Sequence, residues 1–420
     1  MRRTKGENHP PFFYGWVIVA AAFVANTTWG ILFSYGVFFK PLVIEFGWSN
    51  TAASLAFSIQ AVFNSLSVIL MGQMSDKYGP RATTALGASL TGLGMALCSQ
   101  ITDIWHLYLF WGVIMGLGSG AFFIPLAATT TRWFVKKRGL AVGILAAGIG
   151  VGTLILAPIT DLIIATRGWR ATFLIEGSTY FTILLLTAVF LRRSPEEMGL
   201  KPYGEEVGGV ATLKLSSPVA SWRSKVWELV RTRSFWMMYI MYLSGTLGQT
   251  MVAVHMVPYA IDVAIPSDTA AGAFGVIGFV SIFGKVMMGS LSDKVGRLRT
   301  LAICYLFQAV AMFWMAGLRG TWMLYVFALL YGVSYGGWVP QYPPLIGELY
   351  GLRHAGAFLG ILYTAYGAGG IIGPMMGGYV SDVFGSYSWA FLTSSIIYIS
   401  ALCVSITMRP QRSSRHRDNH

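Results

Sequence analysis

The stretch Gly72-Gln-Met-Ser-Asp76-Lys-Tyr-Gly79-Pro-Arg81 returns later in the chain as Gly289-Ser-Leu-Ser-Asp293-Lys-Val-Gly296-Arg297. The two copies begin 289 − 72 = 217 residues apart. Gly143-Ile-Leu and Gly360-Ile-Leu are separated by the same offset. Matches at one offset in a chain of 420 residues predict that the second half of the protein repeats the fold of the first.

Long apolar segments surround both copies of the repeated stretch. Hydrophobic residues make up 55% of the chain and charged residues only 11%, whereas soluble domains carry about 25% charged residues. About 20 apolar residues suffice for a helix to cross a bilayer. We therefore predict an all-α integral membrane protein with twelve transmembrane helices in two pseudo-symmetric six-helix bundles. The predicted spans are residues 14–39, 51–74, 82–100, 105–131, 139–163, 171–191, 235–261, 269–291, 300–318, 322–346, 354–380 and 388–408.

The domain organisation follows from this pattern. One bundle is expected over residues 14–191 and the other over 235–408. Between them, residues 192–234 are polar and rich in proline and glycine, which predicts a cytoplasmic linker. Residues 1–13 and 409–420 are expected to be cytoplasmic end segments.

The distribution of basic residues predicts the orientation. The formal net charge is +13, and 25 of the 30 Lys and Arg lie on the side of the predicted topology that carries both termini and the linker. By the positive-inside rule this side is cytoplasmic, and a multi-pass protein of the plasma (inner) membrane is expected. The charge therefore reflects topology, and no nucleic-acid binding is expected. The three cysteines lie inside spans at unrelated spacings, so neither a disulfide framework nor a metal site is predicted, and no cofactor motif appears.

The repeated loops resemble the signature of the major facilitator superfamily. A carboxylate at a helix end can pair with loop arginines, so Asp76, Arg81, Asp293 and Arg297 are expected to act in gating and stability. Other stretches resemble the branch of monocarboxylate porters and oxalate/formate antiporters. They are Tyr14-Gly-Trp16 in the first span, Gly116-Leu-Gly-Ser-Gly120 and Arg132-Trp-Phe134 around the fourth, His255-Met-Val-Pro258 in the seventh and Tyr335-Gly-Gly-Trp-Val-Pro-Gln-Tyr-Pro343 in the tenth.

A single lysine, Lys285, lies inside the eighth span. It is eight residues from Asp293, so it lies roughly 12 Å from the helix end at 1.5 Å per residue. A lysine at this depth costs about 2.5–3.5 kcal/mol on insertion scales and indicates a functional site, here one for a small anion. The resembled branch usually has arginine there and tyrosine at Phe123. Its oxalate exchangers place a second cation in the eleventh span, where this chain has none, and this favours a monoanion.

Polar and aromatic residues in other spans complete the predicted binding site. Asn64, Tyr331, Tyr335 and Tyr35 supply an amide and hydroxyls for the carboxylate, and Phe123 is expected beside them. Tyr331 and Tyr335 are spaced i, i+4, so they share one helix face. The alternative for such aromatic residues is ordinary helix packing.

Two residues are predicted to couple a proton to transport. Asp262, near the outer end of the seventh span, is expected to pair with Lys285 and to carry the proton, and His255 is expected to relay it. The alternatives are a capping role for Asp262 and a packing role for His255. Three other carboxylates are expected to be structural, close to the outer surface or to Arg167 and Arg170; they are Asp161, Glu176 and Asp382.

These observations predict a secondary transporter, and not an enzyme. It would move a small organic monocarboxylate, similar to lactate or pyruvate, by alternating access, with proton symport favoured. A carboxylate exchanger of the oxalate/formate type, a drug exporter and a non-transporting anion receptor remain as alternatives. The expected partners are the anion, protons and the lipid bilayer, and the expected unit is a monomer.

Overall fold

The computed structural model of the protein describes residues 13–204, 230–350 and 361–408. Nearly all of these residues are helical. The predicted segments 1–13 and 409–420, most of the linker 192–234 and the beginning of the predicted span 354–380 lie outside the described residues, as does Gly360 of the repeat.

The first half contains six passes within the described residues. Their helices are Gly15–Trp29 and Tyr35–Phe46 (span 1), Asn50–Tyr78 (span 2), Pro80–Cys98 (span 3), Ile104–Leu107, Tyr108–Met115, Gly116–Ser119 and Ile124–Trp133 (span 4) and Arg138–Phe190 (spans 5 and 6). Arg138–Phe190 turns back at Gly168, where φ is 77° and ψ is 162°, a conformation that favours glycine. Span 4 is broken between Ser119 and Ile124, which the uniform apolarity of the sequence did not predict.

The second half follows the same plan. Its helices are Arg233–Asp262 (span 7), Ser267–Val295 (span 8), Arg297–Ala316 (span 9), Thr321–Trp338 and Tyr342–Tyr350 (span 10), Thr364–Phe384 (span 11) and Ser388–Thr407 (span 12). By length and apolarity, eight helical stretches of the described residues could cross a membrane unaided, and one of these, Gly139–Phe190, holds both span 5 and span 6. Spans 3, 7 and 11 are not among them.

The contacts between spans have the symmetry that the repeat predicts. In the first half span 1 packs on span 5, span 3 on span 6, and span 2 on span 4. In the second half span 7 packs on span 11, span 9 on span 12, and span 8 on span 10, which is the same scheme six spans later. Spans 2 and 11, and spans 5 and 8, join the two halves. The prediction of two related six-helix bundles is confirmed.

The repeated loops lie together at one end of the molecule, which we call the motif end. Gly79 and Gly296 have almost the same backbone conformation, with φ of 88° and 95°, so each loop needs its glycine. Arg297 bonds to Asp293 at 2.6 Å, as expected. Asp76 instead pairs with Arg132 at the end of span 4, and the Arg81 side chain donates to the carbonyl oxygen of Val189. The carboxylate of Asp76 thus pairs with an arginine that follows the predicted fourth span, and Arg81 has a separate contact.

The other end of the molecule, which we call the closed end, joins the two halves directly. The carboxylate of Asp382 in span 11 accepts bonds from the backbone N–H groups of Asn50 and Thr51, at 2.9 and 2.8 Å, at the start of span 2. Ser267 of span 8 donates to Asp161 of span 5 at 3.4 Å. Between the two ends the halves enclose a central cavity.

Candidate functional site

The cavity lies between spans 5, 7, 8 and 10, so both halves line it. Its volume in this conformation is about 30 Å³, so it is narrow, and a solute larger than water would have to widen it. Most of the surface of the cavity is apolar, with Val252, Phe274 and Ile277 among the apolar side chains. The polar side chains that line it are Thr153, Gln249, Ser281, Lys285, Tyr331 and Tyr335. An apolar cavity with a few polar groups that converge is the usual form of a small-molecule site.

Lys285 supplies the positive charge of this cavity. Its ammonium donates to the carbonyl oxygen of Ala146 in span 5, with 3.3 Å between Nζ and the oxygen. None of the ion pairs among the described residues includes Lys285. A partly buried cation that holds only a neutral carbonyl retains a strong attraction for an anion, because the low dielectric around it weakens screening.

Tyr331 and Tyr335 form an aromatic wall opposite this charge. Their rings stack with centroids 5.9 Å apart and an angle of 6° between the planes, and Phe327 extends the stack at 5.2 Å. Gln249 of span 7 donates to the hydroxyl of Tyr335 at 3.4 Å. The i, i+4 spacing thus places both residues on the wall of the cavity with Lys285, although the hydroxyl of Tyr331 is buried in this conformation.

The predicted pairing of Asp262 with Lys285 is wrong in this structure. Asp262 forms an ion pair with Lys40, which lies in the last helix of span 1. The Asp262 side chain is 42% exposed and lies at the closed end, whereas Lys285 lies in the central cavity. Lys40 belongs to the first half and Asp262 to the second, so the pair joins the halves.

His255 is completely buried between the halves and does not line the cavity. Its Nε2 lies 2.8 Å from the carbonyl oxygen of Pro374 and 3.3 Å from Oγ of Ser54. The rings of Phe39 and Tyr387 pack against it, with centroids 5.4 and 5.0 Å away. The structure therefore places His255 near the closed end, in a contact between span 7 and spans 2 and 11.

Three other predicted substrate ligands lie apart from the cavity of Lys285. Asn64 is buried and donates to Oγ of Ser119 at 2.8 Å, which ties span 2 to span 4. Tyr35 is buried, and its hydroxyl donates to the carbonyl oxygen of Ala53 at 2.5 Å. Phe123 is partly buried at the break in span 4. None of these three lines the cavity in this conformation.

Spans 5 and 8 touch close to the level of Lys285. A Cβ built on Gly150 would lie only 2.6 Å from the carbonyl oxygen of Gly278. Further toward the motif end, Cβ atoms built on Gly143 of span 5 and Gly289 of span 8 would meet nothing within 4 Å. The same is true of Gly72 on span 2. These glycines of the described residues therefore have open space beside them toward the motif end, and the cavity lies near the level where the contact of spans 5 and 8 gives way to it.

Comparisons with known proteins agree with this geometry. A family model described as Major Facilitator Superfamily matches residues 15–286 and 240–419. Monocarboxylate transporter 12 of Homo sapiens is 28% identical over 96% of this chain and 82% of its own length. Monocarboxylate transporter 12-B of Danio rerio is 26% identical over 98% and 92%, and monocarboxylate transporter 11 of Homo sapiens is 28% identical over 94% and 82%.

Solved structures share the fold at low sequence identity. One is an inward-facing, unoccupied bacterial homologue of the human lysosomal transporter Spinster, with a TM-score of 0.73, 15% identity and 96% of both chains covered. Another is the nucleoside transporter NupG, with a TM-score of 0.74, 10% identity and 94% and 99% of the two chains covered. At these identities the likeness concerns the arrangement of helices alone.

Proposed function

The chain belongs to the major facilitator superfamily, and from that premise we propose that it transports a small organic monocarboxylate by alternating access. The relatives named monocarboxylate transporters identify it as a transporter and not an enzyme. The observation that carries the substrate class is Lys285, a cation without an ion-pair partner among the described residues, in a cavity shared by both halves.

The composition of the cavity supports a monoanion with a short apolar tail. One ammonium group balances one carboxylate, and residues 361–408 contain no counterpart of the second cation that oxalate exchangers of the resembled branch place in span 11. The Tyr331 and Tyr335 phenols offer further donors, while Phe274 and Ile277 give an apolar surface. A lactate- or pyruvate-like molecule matches the chemistry of these groups, and its entry requires the narrow cavity to widen.

The charge distribution supports a cytoplasmic motif end, because the basic residues of the repeated loops lie there. With that orientation the present structure is inward-facing, and the closed end faces the outside. Transport then requires the contacts of the closed end to break while the motif end closes. The plasma (inner) membrane and a monomeric unit remain part of this proposal.

We favour proton symport, in which one proton accompanies one monoanion, so the transported charge is zero. A carboxylate exchanger is the second candidate. Among the described residues, Lys285 has no acidic partner. An empty carrier would therefore return across the membrane with an uncompensated positive charge in its cavity, which is costly. Return with a second anion bound avoids this cost and favours exchange. Asp262 and His255 remain predictions as proton carriers, although neither lines the cavity.

The test is uptake of labelled lactate by proteoliposomes without internal substrate, under an inward proton gradient. Lys285→Ala should reduce uptake at least tenfold, because hydrogen bonds to charged groups contribute about 1.5–3 kcal/mol and 1.4 kcal/mol is tenfold. Lys285→Arg should restore part of it. Lys294→Ala is the matched control, since Lys294 is exposed on the same span outside the cavity.

The outcomes separate the candidates. If the wild type takes up lactate only after the vesicles are loaded with a carboxylate, the protein is an exchanger. Equal uptake by wild type and Lys285→Ala would remove Lys285 from the binding site, and the site would then have to be rebuilt around Gln249 and the two tyrosines.

A further inference from the structure

Glu176 in span 6 is a membrane carboxyl without a cationic partner. Its side chain is almost completely buried, with 4% of its surface exposed. Oγ1 of Thr160 in span 5 donates to its Oε1 at 2.6 Å, while its Oε2 is buried without a hydrogen-bond partner. Arg170, one of the two arginines named beside the carboxylates predicted to be structural, bonds to Glu45 at 2.5 Å. Arg167, the other expected neighbour, is exposed at the turn between spans 5 and 6.

Among the described residues, the bonds of Glu176 include none to a positive charge. Span 3 presents small and apolar groups at this level, since a Cβ on Gly177 would touch Ala96 and Met95. The titratable groups nearest along the packed elements are Asp161 of span 5, Cys98 of span 3 and Tyr180 one turn further on span 6. All three are neutral or negative.

A carboxylate in such a place is costly when it is ionised. Burial of an unpaired charge costs several kcal/mol, and a single hydroxyl donor offsets only part of this. The neutral acid avoids most of that cost, and it would also give Oε2 a proton to donate. Ionisable residues buried inside transmembrane helices commonly mark ion or proton pathways.

Two further features connect Glu176 to the moving parts of the molecule. Thr160, which binds Glu176, is followed directly by Asp161, and Asp161 accepts the cross-half bond from Ser267 at the closed end. Tyr180 lines a narrow space inside the first half. Thr91 and Ser119 also line this space, and Ser119 is the residue that holds Asn64.

The partnerless oxygen of Glu176 is itself unusual. Its Oε2 is buried without a hydrogen-bond partner, as is Oγ1 of Thr91, which lines the narrow space. Buried polar groups are normally satisfied, so an unsatisfied carboxyl oxygen calls for an explanation, and a bound proton supplies one.

We propose that Glu176 is a proton-binding site of the first half, outside the substrate cavity, and that its occupancy is coupled to the opening of the closed end. The proposal rests on the proposed transport function and names Glu176, in place of Asp262, as the carrier of the coupling proton. The step is a simple protonation, in which Oε2 of the carboxylate takes up one proton and becomes the neutral acid. Opening of the closed end moves Asp161 and Thr160, wets the carboxyl and allows the proton to exchange.

The first measurement is independent of transport. Infrared difference spectra of the purified protein between neutral and alkaline pH should show the carbonyl band of a buried protonated carboxylic acid. The band should vanish in Glu176→Gln and shift in Glu176→Asp, and it should be unchanged in Glu45→Gln, the matched control whose carboxylate is ion-paired. A wild-type spectrum whose band is unaffected by both Glu176 variants overturns the proposal, even if no transported substrate has been found.

The second measurement tests the coupling. An electroneutral symporter accumulates its anion about tenfold per pH unit of gradient. Glu176→Gln should abolish that accumulation while substrate exchange between loaded vesicles persists, which shows that the variant folds and binds. Asp262→Asn should retain the gradient response. If Glu176→Gln keeps the full response, or if Asp262→Asn loses it, the coupling proton is not carried by Glu176. Failure of the wild type to exchange any monocarboxylate would instead count against the proposed function.

Discussion

The two ends of the molecule differ in how the halves meet. At the closed end Lys40 pairs with Asp262, Asp382 binds the start of span 2, and Ser267 bonds to Asp161, all across the two halves. At the motif end, the ion pairs of the described residues stay within one half, as in Asp76 with Arg132 and Arg297 with Asp293. The repeat gives both ends the same secondary structure, so the difference reflects the conformational state. The polar contacts that join the halves in this state therefore lie at the closed end.

A substitution at the glycine contact between spans 5 and 8 should have the largest effect on the difference between the two ends. Gly150→Val should disfavour the present state, because its Cβ would lie within 2.6 Å of the carbonyl oxygen of Gly278. Overpacking of this kind costs about 1–3 kcal/mol, so the population should shift about 5- to 150-fold toward the other state. Gly143→Val is the matched partner. It has open space here, so it should leave the present state intact.

Spin labels can measure this shift. Ile44 on span 1 and Trp389 on span 12 are exposed near the closed end, one in each half. Cys403 is exposed and would be replaced by serine, whereas Cys98 and Cys304 are buried. The distance between labels at positions 44 and 389 should lengthen in Gly150→Val and stay short in Gly143→Val. Equal distances in the two variants would contradict the assignment of the contact to one state.

Asp382 should give the next largest effect. Its carboxylate accepts from the N–H groups of Asn50 and Thr51, and also from the Thr51 hydroxyl at 2.5 Å. It therefore caps span 2 from the opposite half, and the loss of a cap costs about 0.5–2 kcal/mol. Asp382→Ala should lengthen the same label distance in part of the population.

Ser49→Ala is the control for the Asp382 experiment. Ser49 caps the same helix from its own half, through Oγ and the N–H of Ala52 at 3.1 Å. Its loss should lower thermal stability without a change in label distance. A distance change of similar size in both variants would show that the cap stabilises span 2 and does not hold the halves together.

The sequence pattern of apolar segments and repeats predicted some parts of the structure and not others. Composition and the 217-residue repeat were sufficient to predict twelve spans in two bundles. The length of each apolar segment and the glycines of the repeated loops are local features of the sequence, so they can be recognised without the structure. The cavity positions of Lys285, Tyr331 and Tyr335 also followed from helix depth and spacing.

Contacts between distant spans carried no comparable signal. Lys40 was interpreted only as a charge near the end of a span, and Asp262 was therefore assigned to the wrong lysine. Asn64 and Tyr35 are of residue types that commonly bind substrates. In the structure, however, they bond to Ser119 and to the Ala53 carbonyl oxygen, both inside the first half. The backbone oxygen of Ala146 that holds Lys285 has no sequence signature.

The Lys40–Asp262 pair should have a smaller effect than Asp382. Its side chains are 15% and 42% exposed, and ion pairs at exposed positions contribute about 0–1 kcal/mol, less at high salt. Asp262→Asn should therefore widen the closed end only slightly, and mainly at low ionic strength. A double-mutant cycle with Lys40→Gln, measured by label distance at two salt concentrations, isolates the pair. A large effect that is independent of salt would indicate that Asp262 has a second role, such as the proton transfer predicted from the sequence.

The smallest effect is expected at the motif end. Asp76 and Arg132 both belong to the first half and are 65% and 35% exposed, so their pair does not hold the halves together in this state. Asp76→Asn should leave the label distance at the closed end unchanged and lower the unfolding free energy by at most about 1 kcal/mol. Transport should nevertheless slow, because the motif end must close in the other state, where these loops meet the opposite half. Unchanged transport would restrict Asp76 to a topological role, whereas a widened closed end would show that the two ends are coupled through span 2 even in the present state.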